Sequence, residues 1–369
     1  MKLKERIIRK SEKLGRSLLH FIERRKQKDK RRVRIAKSIK LSKEQKKQIN
    51  SFYKENLGKK INHKWHRLYT AISGKFDYRY FPELLYIPDY QRLSNDPDYY
   101  RGLQDKNILP LIIKGSGLSI KTAETLFSCS NGIILNKDNA VISMKEMIEQ
   151  LCSIDTFFIK PSINSNSGQK CVLYKKEDKH DFESLLSLIK EYKKDYVIQE
   201  VLHNQDDIAK LNKTSLNSFR IITYIVDGVI YTSPIILRIG RDGKNCDNAH
   251  AGGLFVAVSD DGEIVSNGKT EFNDNYESHP DSNIKFNGYK IKNVDKVIKA
   301  AKEAASLVPH VGVIDWDFVL NENGDAVLLE GNMFGGSIWL IQMSHGKAVF
   351  GDNTARILQL IRKNKHLYS

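Results

Sequence analysis

Apolar residues near the start of the chain recur at Leu3, Ile7, Leu14, Leu18 and Ile22 in a stretch rich in Lys, Arg, Glu and Gln and free of proline. That spacing predicts helix over residues 1–60, with a narrow apolar stripe. The pattern breaks down over 61–108, where Tyr, Trp and Pro cluster, as in Phe76-Asp77-Tyr78-Arg79-Tyr80-Phe81-Pro82. This segment is expected to be an irregular, connecting or substrate-facing region. Beyond it, short apolar runs predict strands at 109–114 and 156–160, and helical spacing predicts helices at 144–151 and 181–192. A strand at 196–202 follows, then a meander through 219–226, 229–238, 254–258 and 264–265, with hairpin signals at Asp227-Gly228 and Asp261-Gly262. A helix over 294–307 precedes two final strands, 312–319 and 326–332. Strands and helices without regular βαβ alternation indicate an α+β fold.

The last two strands carry the most chemistry. Asn323-Gly324 between alternating apolar runs signals a two-residue hairpin. In that register Asp317 faces Glu330 and Asp315 faces Asn332, and side-chain alternation puts all four on one face. A three-residue loop would shift the register by one and spoil the pairing. Opposed Cβ atoms lie about 5 Å apart, where like charges destabilise unless offset. A hard divalent cation would offset them, taking a few carboxylate and amide oxygens and leaving other positions for water and phosphates. The competing reading is the solvated face of an ordinary hairpin.

Composition narrows the class. At 369 residues and 40% hydrophobic the chain is globular, with one large domain or two to three smaller ones. The net charge of +16 is uneven: residues 1–60 hold 23 Lys or Arg against 6 Asp or Glu, and the remainder holds 37 against 38. Three roles fit this basic stretch: a solvated helical arm, an amphipathic segment on anionic lipid, or a nucleic-acid tether. Cys129, Cys152, Cys171 and Cys246 show no CxxC spacing, which argues against a disulfide framework or a zinc site. No run approaches the ~18 apolar residues of a membrane span. No apolar stretch with a cleavage site follows the basic start. A cytoplasmic setting is the expectation, with the inner face of the membrane as a peripheral alternative.

A second motif is Phe157-Phe158-Ile159-Lys160-Pro161, running into Ser162-Ile163-Asn164-Ser165-Asn166-Ser167-Gly168. A strand ending in lysine and opening into a small polar loop can cradle phosphate, although such loops are also ordinary connections. Taken together, Lys114, Lys160 with its loop, Gln199-Glu200-Val201-Leu202, Arg220, Arg238 and the Asp317, Glu330, Asn332 set resemble the ATP-grasp superfamily. The separations of thirteen and two within that last set match the metal ligands of its D-alanine:D-alanine ligase branch. Leu237-Arg238 through Asp247-Asn248-Ala249-His250-Ala251-Gly252-Gly253 resembles the glutamate-ligase-like branch. The order, with His279-Pro280 before the last helix, is most similar to the sugar-transfer-associated ATP-grasp proteins. The resemblance covers about 105–355.

The resemblance implies roles by position. Lys114 and Lys160 would contact the α- and β-phosphates of ATP, and the loop with Ser165, Ser167 and Gly168 would close over the triphosphate. Glu200 would accept from the adenine amino group, Val201 and Leu202 would read the ring edge by their backbone, and Asp207 would face the ribose. Asp317, Glu330 and Asn332 would hold one or two Mg²⁺ ions, with Mn²⁺ as an alternative. Arg238 would neutralise the transferring phosphate, while Arg220, Asn248 and His250 would face the acceptor. Two departures stand out. The phosphate loop has a single glycine, and Asp315 stands where the dipeptide-ligase branch places a catalytic arginine.

The implied organisation is a basic helical arm (1–60), the aromatic-rich region (61–108), a lid subdomain (109–200) and a metal-binding catalytic subdomain (201–369). The implied activity joins a carboxylate-bearing substrate, such as a sugar or glycan in bacterial surface-polysaccharide biosynthesis, to an amine through an acyl phosphate. An ATP-grasp kinase and a non-catalytic membrane- or nucleic-acid-binding protein are the alternatives. Nucleic acid is the less favoured partner.

Overall fold

The strand Val313–Leu320 organises the molecule. Its even-numbered residues Ile314, Trp316, Phe318 and Leu320 are apolar and buried against the helix Val294–Leu307, so alternation turns Asp315 and Asp317 to the opposite face. The structure, a computed structural model, describes residues 2–163, 170–176, 181–243, 247, 249 and 252–364, with the backbone alone for 2–9.

The helices are α1 (Lys2–Gln27), α2 (Lys30–Lys37), α3 (Lys43–Leu57), α4 (Lys64–Ser73), α5 (Glu83–Leu85), α6 (Arg92–Ser94), α7 (Pro97–Leu103) and α8 (Leu109–Gly115). They continue with α9 (Met144–Leu151), α10 (Phe182–Lys190), α11 (Asp206–Ala209), α12 (Val294–Leu307), α13 (Trp339–His345) and α14 (Thr354–Lys363). Six strands form a smaller sheet with β1 outside it. In chain order these are β1 (Lys121–Thr122), β2 (Thr125–Ser130), β3 (Ile133–Asn136), β4 (Val141–Ile142), β5 (Thr156–Pro161), β6 (Val172–Lys175) and β7 (Tyr196–Gln199). The smaller sheet runs β4-β3-β2-β7-β5-β6. The rest are β8 (Ser218–Val226), β9 (Val229–Thr232), β10 (Ile235–Ile239), β11 (Leu254–Val258), β12 (Gly268–Lys269), β13 (Asn275–Tyr276), β14 (Val313–Leu320) and β15 (Ala326–Asn332). Among the described residues they form a larger sheet, β1-β15-β14-β8-β10-β11-β12-β13, with β9 on β8. Three apolar clusters fill the interior. One lies under the small sheet with α9 and α10, one lies between the large sheet and α12, and one joins α2, α3 and α4 to α13 and α14.

The α+β expectation holds, and several segments differ from their predicted form. Residues 109–114 are helix rather than strand: Pro110 suits a first helical turn, and Leu109 and Ile113, one turn apart, are the buried pair. The 229–238 run is two strands, because Pro234 lies between β9 and β10 and has no N–H to continue a ladder. Residues 264–265 make only an isolated bridge, Val258 to Ile264. The aromatic-rich 61–108 region is helical and largely buried. It includes a π-helix, Tyr86–Gln91, and its rings pack edge to face, as Phe81 and Tyr90 do on Phe350.

The basic stretch is helical as expected, and part of it is core. Ile49, Tyr53 and Leu57 of α3 are fully buried in the cluster that holds Ile357, Leu358 and Ile361 of α14. Tyr53 donates to the Tyr80 carbonyl at 2.6 Å. Position 60 therefore falls inside a packed unit.

Candidate active site

The hairpin that carries the acids reaches its register by two compensating irregularities. Its loop is Glu322-Asn323-Gly324, three residues, closed by Asn321 N–H to the Asp325 carbonyl at 3.0 Å and by Gly324 N–H to the Asn321 carbonyl at 2.7 Å. Gly324 has φ +69°, the left-handed conformation that such a loop needs and that glycine adopts without strain. This shifts the ladder by one, pairing Phe318 with Leu328. A β-bulge at Leu329 shifts it back, so Asp317 faces Glu330 and Asp315 faces Asn332 after all.

Asp317 is buried between two guanidinium groups. Arg220, directly opposite on β8, binds it bidentately through Nε and Nη2, the latter at 2.8 Å. Arg238 on β10 reaches it through Nη2 at 3.1 Å. Burial alone would raise the Asp317 pKa, but Arg220 and then Arg238 outweigh it and hold the carboxyl below its ordinary range. The like charges of the hairpin are thus offset by arginines within the fold. Arg238 also touches Asp247 at 3.5 Å and the Ser218 hydroxyl at 2.6 Å. Burial pushes Asp247 up from the usual carboxylate range.

Glu330 is less enclosed and faces the small sheet. Lys106, in the turn before α8, brings its Nζ to 3.2 Å from Glu330. Lys160, at the end of β5, is buried beside both. Burial lowers its pKa, Glu330 pulls it up, and Lys106 adds to the lowering. Lys106 is also fixed by its backbone N–H to the Ser162 carbonyl at 3.0 Å, at the mouth of the polar loop. Asn332 Nδ2 lies 3.3 Å from Glu330 Oε1.

Asp315 is enclosed behind this cluster. It accepts from the Tyr86 hydroxyl at 2.5 Å and from Ser337 N–H at 2.9 Å, and burial raises its pKa to about 6. Gly336 packs so closely on this carboxylate that a β-carbon there would overlap it. Asp315 therefore ties the acidic strand to the π-helix and to the glycine turn.

The remaining candidates divide. Lys114 sits on the exposed side of α8, and Lys106 takes the place beside Lys160 and Glu330. Glu200 follows β7 and accepts from Glu124 N–H at 2.8 Å, with Val201 and Leu202 half-buried after it. Both Asp207 oxygens are engaged, one by Gln205 Nε2 at 2.6 Å and one by Lys292 N–H at 2.8 Å. Asn248, His250, Ser165, Ser167 and Gly168 lie outside the described residues. His279 is buried, its Nε2 2.8 Å from the Gly240 carbonyl and its Nδ1 accepting from Asp281 N–H at 3.2 Å, so it braces a loop. Sequence reasoning missed Lys106, Tyr86 and Ser218. Lys106 carries no local signature, because its role arises from where the 105–108 turn crosses between the sheets.

A cation must fit these donors. Among the described residues no three His, Cys, Asp or Glu side chains form a ready metal cage. Glu330 and the Asn332 amide share one face with Asp317, and Mg²⁺ there would have to share Asp317 with Arg220 and Arg238, which already engage both of its oxygens. That ion takes one or two carboxylates and completes its shell with water and substrate phosphates.

Residues 87–357 match the family described as sugar-transfer associated ATP-grasp. Comparison with curated proteins gives no match. Similar solved structures include D-cycloserine synthetase DcsG, at 12% identity and TM-score 0.42, covering 74% of this chain and 73% of that one. The D-alanine-D-alanine ligase from Coxiella burnetii shares 10% identity at TM-score 0.40, over 71% of this chain and 58% of the ligase. An L-amino acid ligase from Bacillus licheniformis shares 14% at 0.40, over 72% and 48%. The chain thus spans about half the length of the last two.

Proposed function

The chain belongs to the sugar-transfer associated ATP-grasp family, and from that membership we propose that it is an ATP- and Mg²⁺-dependent carboxylate–amine ligase acting in the cytoplasm. The observation that supports this reading is the gathering of four cations on Asp317 and Glu330, with Arg220 and Arg238 on Asp317 from neighbouring strands of the same sheet and Lys106 and Lys160 by Glu330 from the side of the small sheet. Such a site is rich in fixed cations and carboxylates and suits phosphoryl transfer, which asks for positioning and charge stabilisation more than for side-chain acid–base work.

In this reading Lys106 and Lys160 bind the nucleotide phosphates as point charges, and Glu200 with the Val201 and Leu202 backbone meets the adenine. Asp317, Glu330 and Asn332 would hold the metal, which when bound would offset phosphate charge. Arg238 would neutralise charge on the transferring γ-phosphate. Arg220, with Nε and Nη2 committed to Asp317, keeps that carboxylate ionised and in place. A substrate carboxylate oxygen attacks the γ-phosphorus as the bond to the bridging oxygen breaks and ADP leaves. An amine nitrogen then attacks the acyl carbon, phosphate departs with the C–O electron pair, and the nitrogen loses a proton. The family's sugar-transfer association supports a carbohydrate acceptor, and a carboxylated sugar of surface-polysaccharide biosynthesis is the substrate this reading takes.

The test is a thermal-shift titration with ATP, with and without Mg²⁺, followed by ADP release against carboxylated sugars with and without amines. Mg²⁺-dependent stabilisation and ADP release that needs both co-substrates support the ligase. ADP release without an amine selects a kinase, and no shift at millimolar ATP overturns the nucleotide site.

A further inference from the structure

Helix α1 is mounted with its polar side inward. At 3.6 residues per turn, Glu12, Arg16, Leu19, His20 and Glu23 share one side, and this side faces the domain. Glu12 pairs with Arg92, and Arg16 Nε donates to Asp89 at 2.7 Å. His20 Nε2 lies 3.3 Å from the same carboxylate. Glu23 is buried and bound by Lys26 at 2.7 Å. Leu19 alone of the large apolar residues between 10 and 27 packs on the core.

The opposite side is apolar and open. Leu14, Leu18, Phe21 and Ile22 follow the i, i+4, i+7, i+8 spacing of one helix face and are 74%, 58%, 61% and 40% exposed. An amphipathic helix on a globular domain normally turns this stripe to the core, and contiguous exposed apolar surface marks an interaction site. Around the stripe the exposed charges Lys10, Lys13, Arg24 and Arg25 are all positive, while the two acids of the stretch, Glu12 and Glu23, are turned inward and paired.

We propose that the outward face of α1 is a docking surface for an anionic lipid bilayer, with α1 lying in the plane of the interface while it stays attached to the π-helix. An apolar stripe flanked by Lys and Arg matches the layered chemistry of such an interface, acyl chains beneath anionic headgroups. A second copy of the chain fits less well, since apposing two such faces would bring eight like charges together. Among the described residues no helix is long and apolar enough to cross a membrane, so the contact is peripheral. The surface lies close to the site: α1 binds Asp89 of the π-helix, whose Tyr86 holds Asp315.

The test is co-sedimentation of the full chain with phosphatidylcholine vesicles and with vesicles containing phosphatidylglycerol, at low and high salt. Two variants are compared, Leu18→Glu/Phe21→Glu and one with Lys10, Lys13, Arg24 and Arg25 changed to Gln. Their circular dichroism and melting should match wild type, because the altered side chains project into solvent. The expected result is binding to the anionic vesicles alone, weakened by salt and reduced on the order of tenfold or more in each variant. Wild type remaining in the supernatant, or undiminished binding by the Glu variant, overturns the proposal. So does a wild-type dimer in sedimentation velocity that the Glu variant makes monomeric while neither binds vesicles.

Discussion

Asp317 has a structural role that its neighbour Glu330 does not share. It is the buried counter-ion of Arg220 and Arg238, whereas Glu330 is partly exposed and paired with Lys106. Glu330→Gln should therefore lower turnover by ~10² or more with little change in stability, through loss of metal-centred charge. Asp317→Asn should lower turnover as well and also destabilise by on the order of 3 kcal/mol, because two buried guanidinium groups lose their anion. Urea unfolding of both variants separates the effects. Lys106→Ala should weaken ATP binding about tenfold, the worth of one charge-assisted contact, while Lys114→Ala, on the exposed side of α8, should bind as wild type. Isothermal titration with ATP and Mg²⁺ reads the difference, and equal losses would return Lys114 to the site.

At the scale of elements, local turn chemistry and packing act together. Gly324→Ala would force a left-handed φ on alanine and press its β-carbon on the Asn293 side chain. A cost of about 1 kcal/mol or more is expected from denaturant midpoints. The contact between α5 and α13 is titratable. Glu83 of α5 accepts from Ile338 N–H at 2.9 Å and Ser337 Oγ at 3.2 Å, just before α13. Burial, with Glu23 adding to it, raises its pKa from 4.5 to about 8. Between those values the folded chain holds a proton that the unfolded chain has released, so this group's contribution to stability falls as pH rises from about 4.5 to 8. Glu83→Gln should remove that part of the slope, so that its melting temperature relative to wild type is higher at pH 8 than at pH 5. A constant difference across that range would exclude Glu83 as the source.

At the scale of the molecule, truncation tests what belongs to the core. Removing residues 1–27 takes away α1 and its polar contacts and should leave a folded protein that still binds ATP. Removing 1–60 also strips Ile49, Tyr53 and Leu57 from the cluster shared with α14. Large core side chains are worth about 2–5 kcal/mol each, so that shorter protein should fail to fold. Soluble yield and circular dichroism of the two decide it. The residue pattern alone determined the elements whose burial is periodic, including Met144–Leu151 and Val294–Leu307 with their bounds, because a 3.6-residue apolar stripe admits one backbone solution. It also determined the acidic hairpin face, since alternation along a strand is local geometry. Only the tertiary structure decided that Leu329 bulges to keep Asp317 opposite Glu330, that Lys106 rather than Lys114 stands beside Glu330, and that α1 turns its apolar side outward. The last two depend on contacts between segments far apart in the chain, and the bulge on how the three-residue loop and the neighbouring strand β8 set the ladder, so no local spacing encodes them.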